Sequence, residues 1–433
     1  MENAHRNSSI QTLGCMEEMR EMDGIGKQTG RWFFILILLF TFFVMGWSEG
    51  AWAQQKPFKI GHIGGLTGPF AVYNTHAQTG IKFAVDEINE AGGLLGRKIE
   101  VYTRDTKERP DVSISEARDL ILTQGVDVLI GCASGSAALA VSSVAKEYKV
   151  PYLAFPSGTF VTGKEGHRYI FQISYSTDLI GFSIGEYLAE KPWKNYYLIG
   201  TDYVYAHEVL DNAWKRLTEK RADVRKTGEF RPKMGERDYT TYITATMSAN
   251  PEAVITVLLG GMGIDFRRQA KGYGFFEKVQ YIGLPLSSAD IVPMGKETPQ
   301  GIIGQSPYSF PYCGEHYPLA AKVEQKYDKI ANDYDYDFVA GGYNQILFLR
   351  EAIKKAGSTE KEKMIDAAEG LEFECTVGRV KVLKYSHRAT VPMFIGTTTY
   401  SPKYPFAILK DVKTYQGEKF MYSEDQIRKM RGE

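Results

Sequence analysis

Two short runs of small hydroxyl residues stand where a chain of alternating strands and helices would hold an anion. Ser134-Gly135-Ser136 follows the apolar run VDVLIG (126–131), and Ser157-Gly158-Thr159 follows VPYLAFP (150–156). In open α/β sheets ligands bind beyond the carboxyl ends of strands, where such loops lie. Small residues let backbone N–H groups approach an anion, and a helix starting near Ala137 would add its positive end. The same hydroxyls also suit helix N-capping with no ligand at all. Two parallel loops of this kind favour the binding reading.

Catalytic chemistry finds less support. Asp86 and Glu87 are adjacent on a helical stretch, so they point to different faces and cannot pair as acid and base. Gly131-Cys132-Ala133-Ser134-Gly135 lacks the spacing of a nucleophile elbow. Cys132 has no histidine tied to it by any motif and reads as a small buried residue. Gly61, Gly64, Gly65 and Gly68 do not make a dinucleotide fingerprint, and there is no P-loop. His62, His76, His167, His207, His316 and His387 never approach each other or a cysteine at metal-ligand spacing. Neither enzyme, metal nor cofactor is expected. Lys+Arg and Asp+Glu both number 52, so the chain has no basic field for nucleic acid or anionic lipid.

The loops need a scaffold, and hydrophobic patterning predicts one. Of the 433 residues, 43% are hydrophobic and 24% charged, the composition of a globular protein with room for two lobes. FKIGHI (58–63), KIEVYT (98–103), VDVLIG and VPYLAFP alternate with helical segments. The rhythm restarts with NYYLIG (195–200), a strand near 224–229, AVITVLL (253–259) and VQYIGL (279–284). Two such series imply two doubly wound parallel sheets, an α/β fold with right-handed crossovers. Helices over about 315–332, 338–356 and 359–369, then strands near 378–383, 391–399 and 406–412, extend a lobe already built. Ahead of all this, Lys27 and Arg31 flank the apolar run 32–47, and Ala51-Trp52-Ala53 ends it. That pattern predicts a secretory signal cleaved after Ala53, hence export to the periplasm. Cys132, Cys313 and Cys375 then remain in an oxidising compartment, and whether Cys313 pairs with Cys375 stays open.

The segment Ile60–Thr67 (IGHIGGLT), Gly68-Pro69-Phe70-Ala71-Val72-Tyr73, Asp86-Glu87-Ile88-Asn89, Gly92-Gly93 and Gly96-Arg97 resembles the opening of the branched-chain amino-acid binding proteins. Thr201-Asp202-Tyr203-Val204-Tyr205 extends the match. These are type I periplasmic binding proteins of ABC transporters. The resemblance implies two lobes joined by hinge strands, 57–174 plus 306–386 and 175–305 plus 387–433, with hinges near Ser174, Gln305 and Ser386. It further implies a monomer with a small-molecule ligand in the interlobe cleft and membrane permease subunits as partners. Carried across, the family's ligand contacts fall on Tyr73, Ser134, Gly135, Ser136, Ser157, Thr159, Tyr205 and Phe338.

One departure bears on the ligand. The family holds the ammonium of an amino acid with an acidic residue on a second-lobe loop. Here Gly283–Ser288 offers no carboxylate, and Met262 stands where an aromatic is expected. A buried ammonium without an acidic partner is costly, so Asp202 or Asp290 would have to substitute. Otherwise amides, carboxylates and aromatic acids become candidates. A stand-alone sensor module remains the alternative to a transport role, since the same fold serves both.

Overall fold

The computed structural model of the chain describes residues 55–433 apart from Pro69, 156–157, Leu259 and 332–335. The predicted leader and Ser157 lie outside the described residues. The first series runs β1 (Phe58–Gly64), α1 (Ala71–Glu90), β2 (Ile99–Asp105), α2 (Pro110–Leu122), β3 (Val128–Gly131), α3 (Gly135–Tyr148), β4 (Tyr152–Ala154), α4 (Thr159–Thr162) and β5 (Ile170–Gln172). The second runs α5 (Thr177–Ala189), β6 (Asn195–Gly200), α6 (Val204–Lys220), β7 (Arg225–Phe230), α7 (Thr240–Ser248), β8 (Ala253–Val257), α8 (Gly261–Gly272), β9 (Gln280–Gly283), α9 (Ser288–Ile291) and β10 (Ile303–Ser306). The remainder comprises α10 (Tyr312–His316), α11 (Pro318–Ala331), α12 (Tyr336–Ala356), α13 (Lys361–Ala368), β11 (Glu372–Cys375), β12 (Gly378–Leu383), β13 (Arg388–Ala389), β14 (Met393–Tyr400), β15 (Ala407–Tyr415) and α14 (Glu424–Arg431).

Two sheets result. The first has the order β11-β12-β13-β5-β4-β3-β1-β2, and the second the order β15-β14-β10-β9-β8-β6-β7. β1 to β5 pair in parallel, as do β6 to β10. The fully buried runs of β3, β4 and β8 follow from helices covering both faces. Both sheets are mixed rather than purely parallel, because β11–β12, β12–β13, β10–β14 and β14–β15 pair antiparallel. Sequence patterning missed β5, β10, β11 and β13. Each is only two to four residues long, too short for a period-two signal.

The chain crosses between the sheets after β5, after β10 and after β13. Arg388 pairs with Gln172 inside the first sheet, so the last crossing falls beyond Ala389 and not at the expected Ser386. A buried ion pair pins this place. Arg388 Nη1 donates to Asp178 Oδ1 at 2.7 Å and to Oδ2 at 2.8 Å, and both residues are fully buried. Asp178 also accepts from Thr159 Oγ1, Ser176 Oγ and the Tyr422 N–H. Burial disfavours its charge, but Arg388 and these donors hold its carboxyl below the ordinary value. Four stretches distant in sequence therefore meet on one carboxylate. The helices α1 and α12 pack closely on the first sheet: a Cβ at Gly80 would lie 1.9 Å from the Val339 carbonyl oxygen, so only glycine permits the contact.

Candidate functional site

Strand order reverses between β1 and β3 in the first sheet and between β6 and β8 in the second. Loops that diverge at such a switch point leave a crevice at the strand ends. The crevices of the two sheets meet in a cavity of about 650 Å³, counting its mouth. Phe70 and Tyr73 line it from the turn after β1 and the start of α1, and Ala133 and Gly135 from the loop after β3. Gly158 and Phe160 follow β4, Tyr175 lies at the first crossing, and Phe338 is on α12. Against them stand Tyr203 and Tyr205 at the start of α6, Gly260 after β8, and Pro285, Ser287 and Asp290 after β9. The Tyr73 and Phe338 rings lie 4.6 Å apart and tilted by 30°, forming one wall.

Of the residues proposed from sequence, Tyr73, Gly135, Tyr205 and Phe338 line this cavity. Ser134 caps α3, its hydroxyl accepting the Ala137 N–H at 3.3 Å, and Ser136 is exposed with its hydroxyl 3.1 Å from that of Ser134. Thr159 is buried against Thr177 and Asp178. Asp202 is exposed and 3.1 Å from His207, whereas Asp290 is buried and lines the cavity. Its carboxylate closes a capping box with Ser287. Met262 is buried on α8, where Thr201 and the Gly235 N–H approach its sulfur.

The donor loops are already engaged by the protein's own acids. Glu108 accepts from the N–H groups of Gly65 (3.2 Å), Ala133 (2.9 Å) and Ser134 (3.0 Å) and from Asn74 Nδ2 (2.9 Å). The backbone places it there through two successive left-handed residues, Lys107 (φ 52°) and Glu108 (φ 56°). Such conformations are costly for residues with a Cβ and persist only where the surroundings enforce them. On the second loop Glu208, from α6, accepts from the Thr159 N–H (3.0 Å) and Thr177 Oγ1 (2.5 Å), tying the second series to the first. Burial pushes the Glu208 carboxyl up, and these donors pull it partly back. The Gly135 N–H donates to the Tyr203 hydroxyl at 3.1 Å.

Neither acid was legible in the sequence, because nothing local links Glu108 to Ser134 or Glu208 to Thr159. Phe160 and Tyr175 were missed for the same reason. Cys132 lies fully buried beneath the loop, and burial pushes its thiol well above the ordinary range, which suppresses the nucleophilic thiolate. The three described cysteines are buried free thiols.

With this geometry, two stacked α/β units sharing a cleft at their switch points, the class is that of bilobal solute-binding proteins. The periplasmic binding protein model matches residues 57–401, and the chain belongs to that family. A relative in Pseudomonas aeruginosa, a leucine-, isoleucine-, valine-, threonine- and alanine-binding protein, is 23% identical over 329 residues, 74% of this chain and 84% of that one. Among solved structures, the chain is similar to an ABC-transporter solute-binding protein of Rhodopseudomonas palustris in complex with 3,4-dihydroxybenzoic acid. That match has a TM-score of 0.75 at 22% identity, over 83% of this chain and 98% of the other. An ABC-type branched-chain amino-acid transporter protein of the same species gives a TM-score of 0.70 at 25% identity, over 84% and 98%.

Proposed function

We propose that this chain is the extracytoplasmic solute-binding component of an ABC importer, carrying a small organic solute in the aromatic cleft to membrane permease subunits. The observation that carries this reading is the cleft itself. Its walls come from both sheets, so a solute seated there touches both units at once. A ligand shifts an open–closed equilibrium only by its differential affinity for the two states, and contact with both units supplies that difference. The units are taken as 57–174 with 306–389 and 175–305 with 390–433, joined at the three crossings. Export after cleavage at Ala53 accompanies this reading.

Tyr73, Tyr205 and Phe338 are the side chains expected to cover the solute, with Gly135 and Asp290 beside it. The test is a thermal-shift screen of the chain from residue 54 onward against amino acids, amides, amines and carboxylates, followed by calorimetry on the hits. A ligand at 100 times its Kd stabilises by about 2.7 kcal/mol. Tyr205→Ala should weaken binding while the variant still unfolds cooperatively. Unchanged affinity in that variant would remove the cleft from consideration.

A further inference from the structure

We infer that the three chain crossings enclose a second ligand site, separate from the cleft, which takes a small uncharged ring compound bearing a hydroxyl group and fastens the crossings when occupied. The site goes beyond the solute reading and stands whatever solute the cleft carries.

A further cavity of about 480 Å³, counting its mouth, lies at the crossings. That size falls within the range of small-molecule pockets, about 300–1,000 Å³. Ser174 and Tyr175 line it from the crossing after β5, Pro307 and Tyr308 from the one after β10, and Val391 from the one after β13. Each connection between the two units thus contributes wall to one space. Tyr175 and Phe338 also line the solute cavity, so the two cavities share these rings as a partition.

Two features point to an occupant. The first is Ser174, which is 9% exposed and whose hydroxyl has no hydrogen-bond partner among the described residues. A buried hydroxyl left unpaired is destabilising, and folded chains pair the large majority of them. A ligand with a hydroxyl of its own would complete it. The second is Gly341, inside α12. Glycine weakens a helix interior relative to alanine, so a close contact is the usual reason for it. The neighbouring Gly342 has that reason, since a Cβ there would lie 2.1 Å from the Ala77 carbonyl oxygen. A Cβ at Gly341 would meet nothing within 4 Å, and Gly341 borders this cavity. Its missing side chain leaves open a space that any other residue would begin to fill.

The lining sets the chemical class. Phe155, Ile173, Phe338, Ala340 and Val377 give it aromatic and aliphatic walls, which suit a ring. No Lys, Arg or His lines it among the described residues, so a carboxylate would be buried there without a counter-charge. Asp337 would repel one further, and its own carboxylate is engaged by the Ser288 N–H at 3.0 Å. Asn344 is satisfied at both ends by Thr376, its Nδ2 donating to Oγ1 at 2.8 Å and its Oδ1 accepting the N–H at 3.0 Å. Ser174 remains to meet the ligand's polar group. Lobe closure is absorbed by backbone rotation at a few connecting residues. A molecule packed against all three crossings favours the arrangement it fits and restrains those rotations.

The test uses benzyl alcohol as the probe, with benzoate and benzylamine as charged counterparts, on the chain from residue 54 onward. In calorimetry benzyl alcohol should bind on the order of ten-fold more tightly than either ion. Gly341→Leu places a side chain in the cavity and should weaken benzyl alcohol by a similar factor, on the order of ten-fold. Ser174→Ala should weaken benzyl alcohol about three-fold or more and leave toluene unchanged, and it serves alone if the leucine variant does not fold. Amide hydrogen exchange reads the location. Benzyl alcohol should slow exchange in 173–176, 306–309 and 389–392 of the unsubstituted chain, and not in Gly341→Leu. Equal binding of the ions, no binding of benzyl alcohol, or protection confined to the cleft loops 133–136 and 203–206 would overturn the inference. None of these results touches the solute reading, which the wider screen and Tyr205→Ala test on their own.

Discussion

Replacing Arg388 with Met leaves Asp178 charged in a fully buried site at the place where the chain crosses between its sheets. Breaking a buried ion pair by removing one partner costs about 3–5 kcal/mol, because the survivor's charge is uncompensated. The two partners are not equivalent. Without Arg388, Asp178 still accepts from Thr159, Ser176 and Tyr422. Without Asp178, the guanidinium keeps the Ser176 hydroxyl at 3.1 Å as its side-chain hydrogen bond, and its Nε and Nη2 find no partner among the described residues. Arg388→Met is therefore expected near the low end of that range, about 3 kcal/mol, and Asp178→Asn near the high end, about 5 kcal/mol. The double variant should be less costly than Asp178→Asn alone, since no isolated charge is left behind. The sign with pH follows from the depressed Asp178 carboxyl. Its contribution is present above the unfolded-state pKa, about 3.9, and is lost as pH falls through the folded value. In Arg388→Met the same carboxyl is raised by burial and can take up a proton, so the deficit should shrink as pH falls from 7 to 5. Urea unfolding of the four proteins at both pH values reads all of this. A cost under about 1 kcal/mol for either single variant at pH 7 would refute the reasoning, as would strictly additive losses in the double variant.

Three other outcomes are expected. Burial pushes the Glu324 carboxyl up to about 7, while a 2.6 Å hydrogen bond from the Tyr308 hydroxyl pulls the other way. The native chain thus holds a proton that the unfolded chain releases, and stability should fall by on the order of 3 kcal/mol as pH rises from about 4.5 to about 7. Glu324→Gln should flatten that slope in urea titrations. Gly80→Ala forces a Cβ onto the Val339 carbonyl oxygen and should cost about 1–3 kcal/mol, whereas Gly341→Ala on the same α1–α12 pair meets nothing within 4 Å and should be neutral or slightly stabilising. Equal effects from the two glycine variants would contradict the close packing. Glu108→Ala leaves the N–H groups of Gly65, Ala133 and Ser134 without their acceptor, at about 1–3 kcal/mol for each group that stays dry. Its urea midpoint should drop well below that of Ser136→Ala, whose side chain is exposed.

What the sequence by itself determined is the local grammar. Strand and helix periods, glycine stops such as Gly92-Gly93, and small-residue loops after apolar runs predict two α/β series with a cleft at their strand ends. Those signals are local because they reflect a segment's own periodicity and which of its faces must be covered. The motif around Tyr73 and the run Thr201–Tyr205 belong to the same category, and both Tyr73 and Tyr205 line the cavity. Tertiary structure decided the rest. It set the antiparallel edges, the place of Arg388 in the first sheet, and the choice of Asp290 over Asp202 as the acid in the cleft. It also turned Ser134 toward its helix and gave the loop N–H groups to Glu108 and Glu208. These outcomes depend on residues brought together by chain crossings and by contact between the two sheets' loops. No residue's neighbours in sequence carry that information, because a carboxylate seeks whichever N–H groups the folded chain leaves within reach.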